Sequence, residues 1–77
     1  MAKLPRGADP RRVIRAFARF GWQVHSTRGG HVHLANPSKP AIVLTVPFHP
    51  GRGVSPGVLR SLLRTAGITV EEFVQQP

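Results

Sequence analysis

The hydrophobic positions of the chain follow a helical period near both ends and a period of two in the middle. Asp9-Pro10 is a typical helix start, since Asp caps the first turn and Pro suits the first helical position. Gly21 is expected to close this helix as a left-handed cap. The predicted apolar face of the helix is formed by Val13, Ile14, Phe17 and Phe20, beside a basic row of Arg11, Arg15 and Arg19.

Three short runs of alternating or β-branched residues follow the first helix. They predict strands over 22–27, 31–34 and 42–46, joined by tight turns at 28–30 and 35–39. A loop rich in glycine and proline then spans 48–53. Three strands with short connections favour an antiparallel sheet.

The C-terminal part of the chain predicts two more helices. Ser55-Pro56 repeats the pattern of a cap followed by proline, and Gly67 marks the end of this helix. Thr69 and Glu72 form the pattern of a capping box that opens a last short helix carrying Phe73 and Val74. The expected buried stripe of the second helix is Val58, Leu59, Leu62, Leu63 and Ala66.

The order of elements predicts an α+β fold, a two-layer sandwich of order α-β-β-β-α with a short C-terminal helix. Helices would cover one face of the three-stranded antiparallel sheet and leave the other face open. We expect residues 1–9 to be a flexible lead-in and residues 10–77 to form a single domain. We see no internal repeat.

Strand alternation predicts which side chains lie on the open face of the sheet. Val32 and Leu34 are expected to face the helices, so His31 and His33 face away from them. Trp22 and Val24 are the expected inward pair of the first strand. The open face would then collect His31 and His33 with Gln23, His25 and Thr27, with Arg28 at its rim.

Charge is the strongest compositional signal in these 77 residues. Eleven Lys and Arg against three Asp and Glu give a net charge of +8, and the cations are spread through the expected elements rather than held in a tail. Such a field attracts nucleic acid first, then an acidic protein, then anionic lipid. The alternative is that the charges are merely solvated. With no cysteine, no long apolar run and no signal-peptide pattern, we expect an intracellular, cytoplasmic protein without disulfides.

The histidines are the candidate chemical groups. Cleavage of RNA by transesterification needs a base and an acid, and histidine suits either task near neutral pH. His31 is the strongest candidate, because two preceding glycines let a phosphate approach closely. His25 and His33, taken singly, are more simply read as polar surface residues. The sequence leaves open whether His49 is a second functional group or an ordinary loop residue.

A metal site is a weaker alternative. His31 and His33 have a spacing seen in zinc sites, but the chain has no cysteine, and its few carboxylates lie in or beside the expected helices. We therefore expect neither a metal nor another cofactor.

Several strings together resemble the HicA toxin family. They are Gly21-Trp22, Arg28-Gly29-Gly30-His31, Thr45-Val46-Pro47-Phe48-His49, Ser55-Pro56-Gly57-Val58-Leu59-Arg60 and Ala66-Gly67-Ile68. They occur in the family's order over about residues 10 to 75. Two positions depart from the usual pattern, since Gly30 replaces a Ser and Val58 replaces a Thr.

The resemblance implies a fold like that of double-stranded-RNA-binding domains and an mRNA endonuclease of relaxed sequence preference. It implies one catalytic histidine, which aligns with His31, and a HicB-type antitoxin that blocks it. We expect Arg28, Gly29, Gly30, His25, His33 and Arg60 to contact RNA or its phosphates, with His49 as a candidate accessory group.

Two other functions compete with the nuclease. One is a basic module that binds RNA or another nucleic acid without cleaving it. The other is a subunit whose cations bind an acidic antitoxin and which has no activity of its own. Neither a membrane nor a small-molecule cofactor is an expected partner.

Overall fold

The computed structural model describes residues 3–49 and 51–76 and confirms the expected order of elements. A helix, three antiparallel strands and two further helices follow one another in an α+β fold. The last helix, which begins at the capping box, is short, as expected. The bounds are α1 Pro10–Ala18, β1 Gln23–Arg28, β2 His31–Ala35, β3 Val43–Pro47, α2 Pro56–Ala66 and α3 Val70–Val74.

The sheet has the order β1-β2-β3, with both neighbouring pairs antiparallel. The helices pack on one face, where alternate residues of β2 and β3 are buried together with α1 and α2. Within residues 3–49 and 51–76, no helix lies over the opposite face. The largest fully buried side chains are Trp22, Phe17, Leu34, Leu44, Leu59, Leu63, Val13, Val46 and Val54.

The start of each helix carries the predicted cap, and Gly67 ends α2 in the left-handed conformation as expected. The prediction that Gly21 closes α1 is wrong, because α1 ends at Ala18 and its C-cap is Arg19, in the right-handed conformation. The Asp9 carboxylate accepts a hydrogen bond from the Arg11 backbone N–H at 2.9 Å, and the Ser55 hydroxyl accepts one from the Val58 N–H at 3.2 Å. Thr69 and Glu72 exchange both bonds of the capping box. The Thr69 backbone N–H and then its hydroxyl hold the pKa of the Glu72 carboxyl below its ordinary value. Each helix therefore begins with local hydrogen bonds that the sequence specifies.

The first strand differs from the expectation at a β-bulge. Val24 lies opposite Leu34 and Ser26 lies opposite His33, so His25 is an extra residue in β1. Because a bulge inverts the alternation beyond it, Thr27 lies opposite the buried Val32 rather than on the face of His31. The prediction that Thr27 shares the open face with His31 is wrong.

Two valines are less buried than expected. Trp22 is buried as predicted, but its expected inward partner Val24 is 56% exposed. All six residues of β1 are exposed, whereas the other edge strand, β3, buries Leu44 and Val46, so the buried positions of the sheet lie on β2 and β3. On α2, Val58 lies at the margin of the apolar stripe and is exposed, while the other four residues of that stripe are buried.

The segment before α1 contributes to the fold. Leu4 lies in the hydrophobic core, and Ala8 pairs with Val54 through two backbone hydrogen bonds of 3.2 and 2.7 Å. Gly53 faces the backbone of Gly7 so closely that a Cβ at position 53 would overlap it. This approach brings the loop after β3 against the start of α1.

Asn36 joins the turn after β2 to the end of α1. It is the one buried polar side chain among the residues that the structure describes, at 6% exposure. Its amide donates to the Phe20 carbonyl at 3.1 Å, and its side-chain oxygen accepts from the Ser38 N–H at 2.9 Å. Both ends of the side chain are thus paired, as a buried amide requires.

Replacing Gly53 tests the close approach to Gly7. We expect Gly53→Ala to destabilise the domain by about 1–3 kcal/mol, because the new methyl group meets backbone that cannot move without breaking the Ala8–Val54 pair. Thermal unfolding followed by circular dichroism measures the effect. Gly57→Ala is the control: nothing lies within 4 Å of its Cβ, so we expect no loss of stability. Equal melting temperatures for wild type and Gly53→Ala would contradict the packing argument.

Candidate active site

The turn between β1 and β2 sets the geometry of the candidate site. Gly29 and Gly30 are its two central residues, with φ of +56° and +79°. Two consecutive positive φ angles define a type I′ turn, whose twist matches that of a hairpin. Arg28 and His31 directly flank the turn and pair with each other. Since directly opposed residues share a face, the guanidinium and the imidazole belong to the same side of the sheet.

His31 lies on the helix-free face, as predicted, and it is partly buried rather than fully open to solvent. On its other side it pairs with Pro47 of β3. The next pair along the ladder carries a hydrogen bond, from the Phe48 N–H to the Gly30 carbonyl at 2.8 Å. Because bonded and non-bonded pairs alternate, the missing N–H of Pro47 leaves no gap in the ladder beside His31.

That same hydrogen bond carries the chain beyond β3 and brings His49 to the turn. Phe48 packs against the core, and the His49 carbonyl accepts a hydrogen bond from the Arg52 N–H at 3.0 Å. The backbone is therefore held on both sides of His49. Its ring lies edge-on to that of His31, with the two ring centroids 6.0 Å apart and the planes at 77°.

The absence of a side chain at Gly30 makes room for the His49 ring. A Cβ built at Gly30 would lie 2.8 Å from Cε1 and 3.2 Å from Nδ1 of His49, closer than real side chains pack. The resemblance noted in the sequence implies a Ser at this position, and in this chain a Ser would require the His49 ring to shift and would strain a backbone with positive φ. Gly30 thus leaves free the space that the ring of His49 occupies.

His33 lies two residues beyond His31 on the same face. Its Nδ1 shares a hydrogen bond of 3.2 Å with the hydroxyl of Thr45, the residue opposite it in β3. This contact orients the ring beside the candidate site.

Two of the predicted site residues lie away from His31. His25 is the extra residue of the bulge and borders a shallow depression with Ala35 and Asn36, at the end of the sheet remote from the Gly-Gly turn. The grouping of His25 with His31 and His33 stays a prediction. Arg60 is exposed on α2, which packs on the other face of the sheet. Contact of these two residues with RNA stays a prediction.

All eleven Lys and Arg side chains are exposed. Within residues 3–49 and 51–76, the one ion pair joins Arg11 to Asp9 at 3.6 Å, so nearly all of the positive charge faces solvent without a carboxylate partner. Arg11 and Arg52 also line a cleft of about 310 Å³ that adjoins Phe48 and His49. A polyanion that reaches His49 therefore meets cations on its way.

Two further findings concern the described part of the chain. It contains no group of three or more His, Cys, Asp or Glu residues placed to hold one metal ion. None of its helices reaches the length and hydropathy that a bilayer crossing requires.

The sequence alone does not reveal that His49 lies beside His31. Strand alternation stops at Pro47, and nothing in the residues 48–53 says where the loop turns. The one available signal was indirect. Phe48 is an apolar residue within a loop of glycine, proline and charge, and such a residue is typically an anchor to the core.

A comparison with protein families gives a match. A family model described as "HicA toxin of bacterial toxin-antitoxin" matches residues 10–68, from the start of α1 to just beyond α2. The match includes the Gly-Gly turn, His31 and His49. A search of curated proteins finds no match.

Replacing Thr45 tests whether it orients His33. Thr45→Val keeps the shape and removes the hydroxyl, so we expect the His33 ring resonances to shift in NMR spectra. Because both residues lie at the surface, the free energy of unfolding should change by less than about 1 kcal/mol. The ring resonances of His25, at the far end of the sheet, serve as the internal control. Unchanged His33 resonances would contradict the assignment.

Proposed function

The chain belongs to the HicA toxin family of bacterial toxin–antitoxin systems, and on this premise we propose that it is an endoribonuclease that cleaves mRNA with His31 as a catalytic residue. The proposal includes action in the cytoplasm and inhibition by a HicB-type antitoxin. The observation that carries it is the placement of His31 and Arg28 on either side of a turn without side chains, on the face that no helix covers.

The reaction that these groups suit is attack of a ribose 2′-oxygen on the adjacent phosphorus. A base takes the 2′-hydroxyl proton, the bond from phosphorus to the 5′-oxygen breaks, and an acid protonates the departing oxygen. The products are a 2′,3′-cyclic phosphate and a 5′-hydroxyl. His31 performs one of the two proton transfers, because its imidazole can either accept or donate a proton near neutral pH.

Arg28 holds the phosphate during this reaction. A guanidinium presents two parallel N–H donors to a pair of phosphate oxygens and opposes the negative charge that builds up on them. Gly29 and Gly30 support the role, since a turn without Cβ atoms admits the sugar–phosphate backbone close to both side chains. Imidazole and guanidinium together supply the proton transfer and the charge stabilisation, so the proposed chemistry requires no metal ion.

The charge of the surface supports RNA as the substrate. Eleven exposed cations in a 77-residue chain attract a polyanion irrespective of its sequence. Contacts to phosphate carry no base information, which fits cleavage of relaxed sequence preference. The antitoxin, in this proposal, covers the same face and so excludes RNA from His31.

The first test uses the purified protein and mRNA in the presence of EDTA. We expect the wild type to cleave the RNA and His31→Ala to be inactive, while RNA affinity stays within about twofold, since one imidazole contributes little to counterion release. Val43→Ala, a truncation on the same sheet face, is the matched control and should cleave normally.

Induction in cells gives the second readout of this prediction. Wild type should arrest growth and His31→Ala should not. RNA that stays intact with natively folded wild type would reject the nuclease. Binding that is salt-dependent and indifferent to His31→Ala, without cleavage, would instead support a non-catalytic RNA-binding module.

Arg28 is tested by the salt dependence of binding. We expect Arg28→Ala to weaken RNA binding and to reduce the slope of log K against log salt by about 1, because one phosphate contact is lost. Arg28→Lys should keep most of the slope but cleave more slowly, since an ammonium lacks the bidentate geometry. Arg64→Ala, on the helix layer, removes an equal charge and should change neither the RNA affinity nor the salt slope appreciably. Equal slopes for Arg28→Ala and wild type would refute the phosphate contact.

A further inference from the structure

The His49 ring occupies a position that the rest of the fold builds. The ladder hydrogen bond from Phe48 to Gly30 and the turn bond from Arg52 fix its backbone, and Phe48 anchors the segment in the core. Gly30 leaves open the space that the ring fills. An ordinary loop histidine needs none of these constraints. The fold therefore holds the backbone that carries a second imidazole beside His31.

We propose that His49 is the second proton-transfer residue of the site, so that His31 and His49 act as a pair, one as base and the other as acid. The inference rests on the proposed nuclease function and deepens it. Cleavage requires two proton transfers at one phosphate, and His31 performs only one of them.

The geometry of the two rings fits this division. Their centroids are 6.0 Å apart and the planes lie at 77°, so the rings meet edge to face. Each nitrogen must come within about 2.6–3.2 Å of its oxygen. Two rings this close, with different orientations, can reach the 2′-oxygen and the 5′-oxygen of a single phosphodiester.

The charged groups around His49 favour the arrival of a phosphate. Arg28 lies across the turn, and Arg11 and Arg52 border the adjoining cleft. Asp9 lines the same cleft, but its carboxylate caps α1 and pairs with Arg11. The remaining titratable neighbour is His31 itself. A phosphate bound at the turn thus lies next to the strand position of Arg28, and the cleft that adjoins His49 carries two further guanidinium groups.

A change in the leaving group separates an acid from a base. In an RNA oligonucleotide with one mapped cleavage site, the scissile 5′-oxygen is replaced by sulfur. A thiolate departs without a proton, so the modified substrate needs the base but not the acid. A variant that lacks the acid regains activity on this substrate, and a variant that lacks the base does not.

We expect His49→Gln to lose about 10²–10⁴-fold in kcat on ordinary RNA while binding it with nearly unchanged affinity. On the sulfur substrate, either His49→Gln or His31→Ala should recover to near the wild-type rate, and the other should not. Circular dichroism checks that the variants are folded, which we expect because His49 is an exposed loop residue.

Gly30→Ala supplies a second test that keeps both histidines. Its methyl group meets the His49 ring, whereas in Gly29→Ala the methyl group meets nothing within 4 Å and the backbone also has a positive φ. The comparison therefore separates displacement of His49 from strain in the turn. We expect the loss of kcat in Gly30→Ala to exceed that in Gly29→Ala by about tenfold or more.

The outcomes distinguish failure of the His31–His49 pairing from failure of the nuclease function. Cleavage that is lost in His31→Ala but stays within about threefold of wild type in His49→Gln overturns the pairing and leaves the nuclease intact. Recovery of both variants, or of neither, on the sulfur substrate also overturns the pairing. Wild type that cleaves no RNA rejects the proposed function and the pairing with it.

Discussion

The two-residue turn at Gly29 and Gly30 is the constraint on which the sheet and the candidate site both depend. A connection this short allows one register only, in which Arg28 lies opposite His31. A slip by one residue would carry Val32 to solvent and His31 into the core, because side chains alternate between faces. A residue with a Cβ at either position would cost about 1–2 kcal/mol in this left-handed conformation. The turn therefore fixes both the burial of Val32 and Leu34 and the placement of the two histidines of β2 on the opposite face.

The same turn joins two distant parts of the chain. The Gly30 carbonyl extends the ladder by one bond past Pro47, and the bare Gly30 Cα accommodates the ring of His49. The geometry of the main chain thus brings the two imidazole rings together. No side-chain hydrogen bond links the two rings in the described residues, so their relation follows from the backbone on which each is mounted. This arrangement leaves the ring nitrogens available for a substrate, which a network of side-chain bonds would not.

The sequence predicted the parts of the fold that depend on local chemistry. The caps at Asp9, Ser55 and Thr69 could be predicted from the sequence because they involve residues within one helical turn. The bulge at His25 was not, since it depends on how β1 pairs with β2 and no residue type marks it. Val24 was wrongly predicted to be buried, because strand alternation indicates on which face of the sheet a side chain lies but not whether a helix covers that part of the face. His49 was missed as a neighbour of His31 because the path of a loop depends on tertiary contacts.

The division between core and surface explains why the site can carry so much charge. The core is apolar apart from the amide of Asn36, among the residues described, and it takes no ionisable group from the open face. Stability comes from the helix side of the sheet, and the histidines and Arg28 lie on the other side. The mutual repulsion of a +8 surface opposes folding, while an anion that binds only the folded chain stabilises it. Any polyanionic ligand of this face, whether RNA or an acidic protein, therefore relieves a repulsion between cations that is already present in the unbound domain. The charge that recruits the ligand is thus also the charge whose neutralisation strengthens the fold.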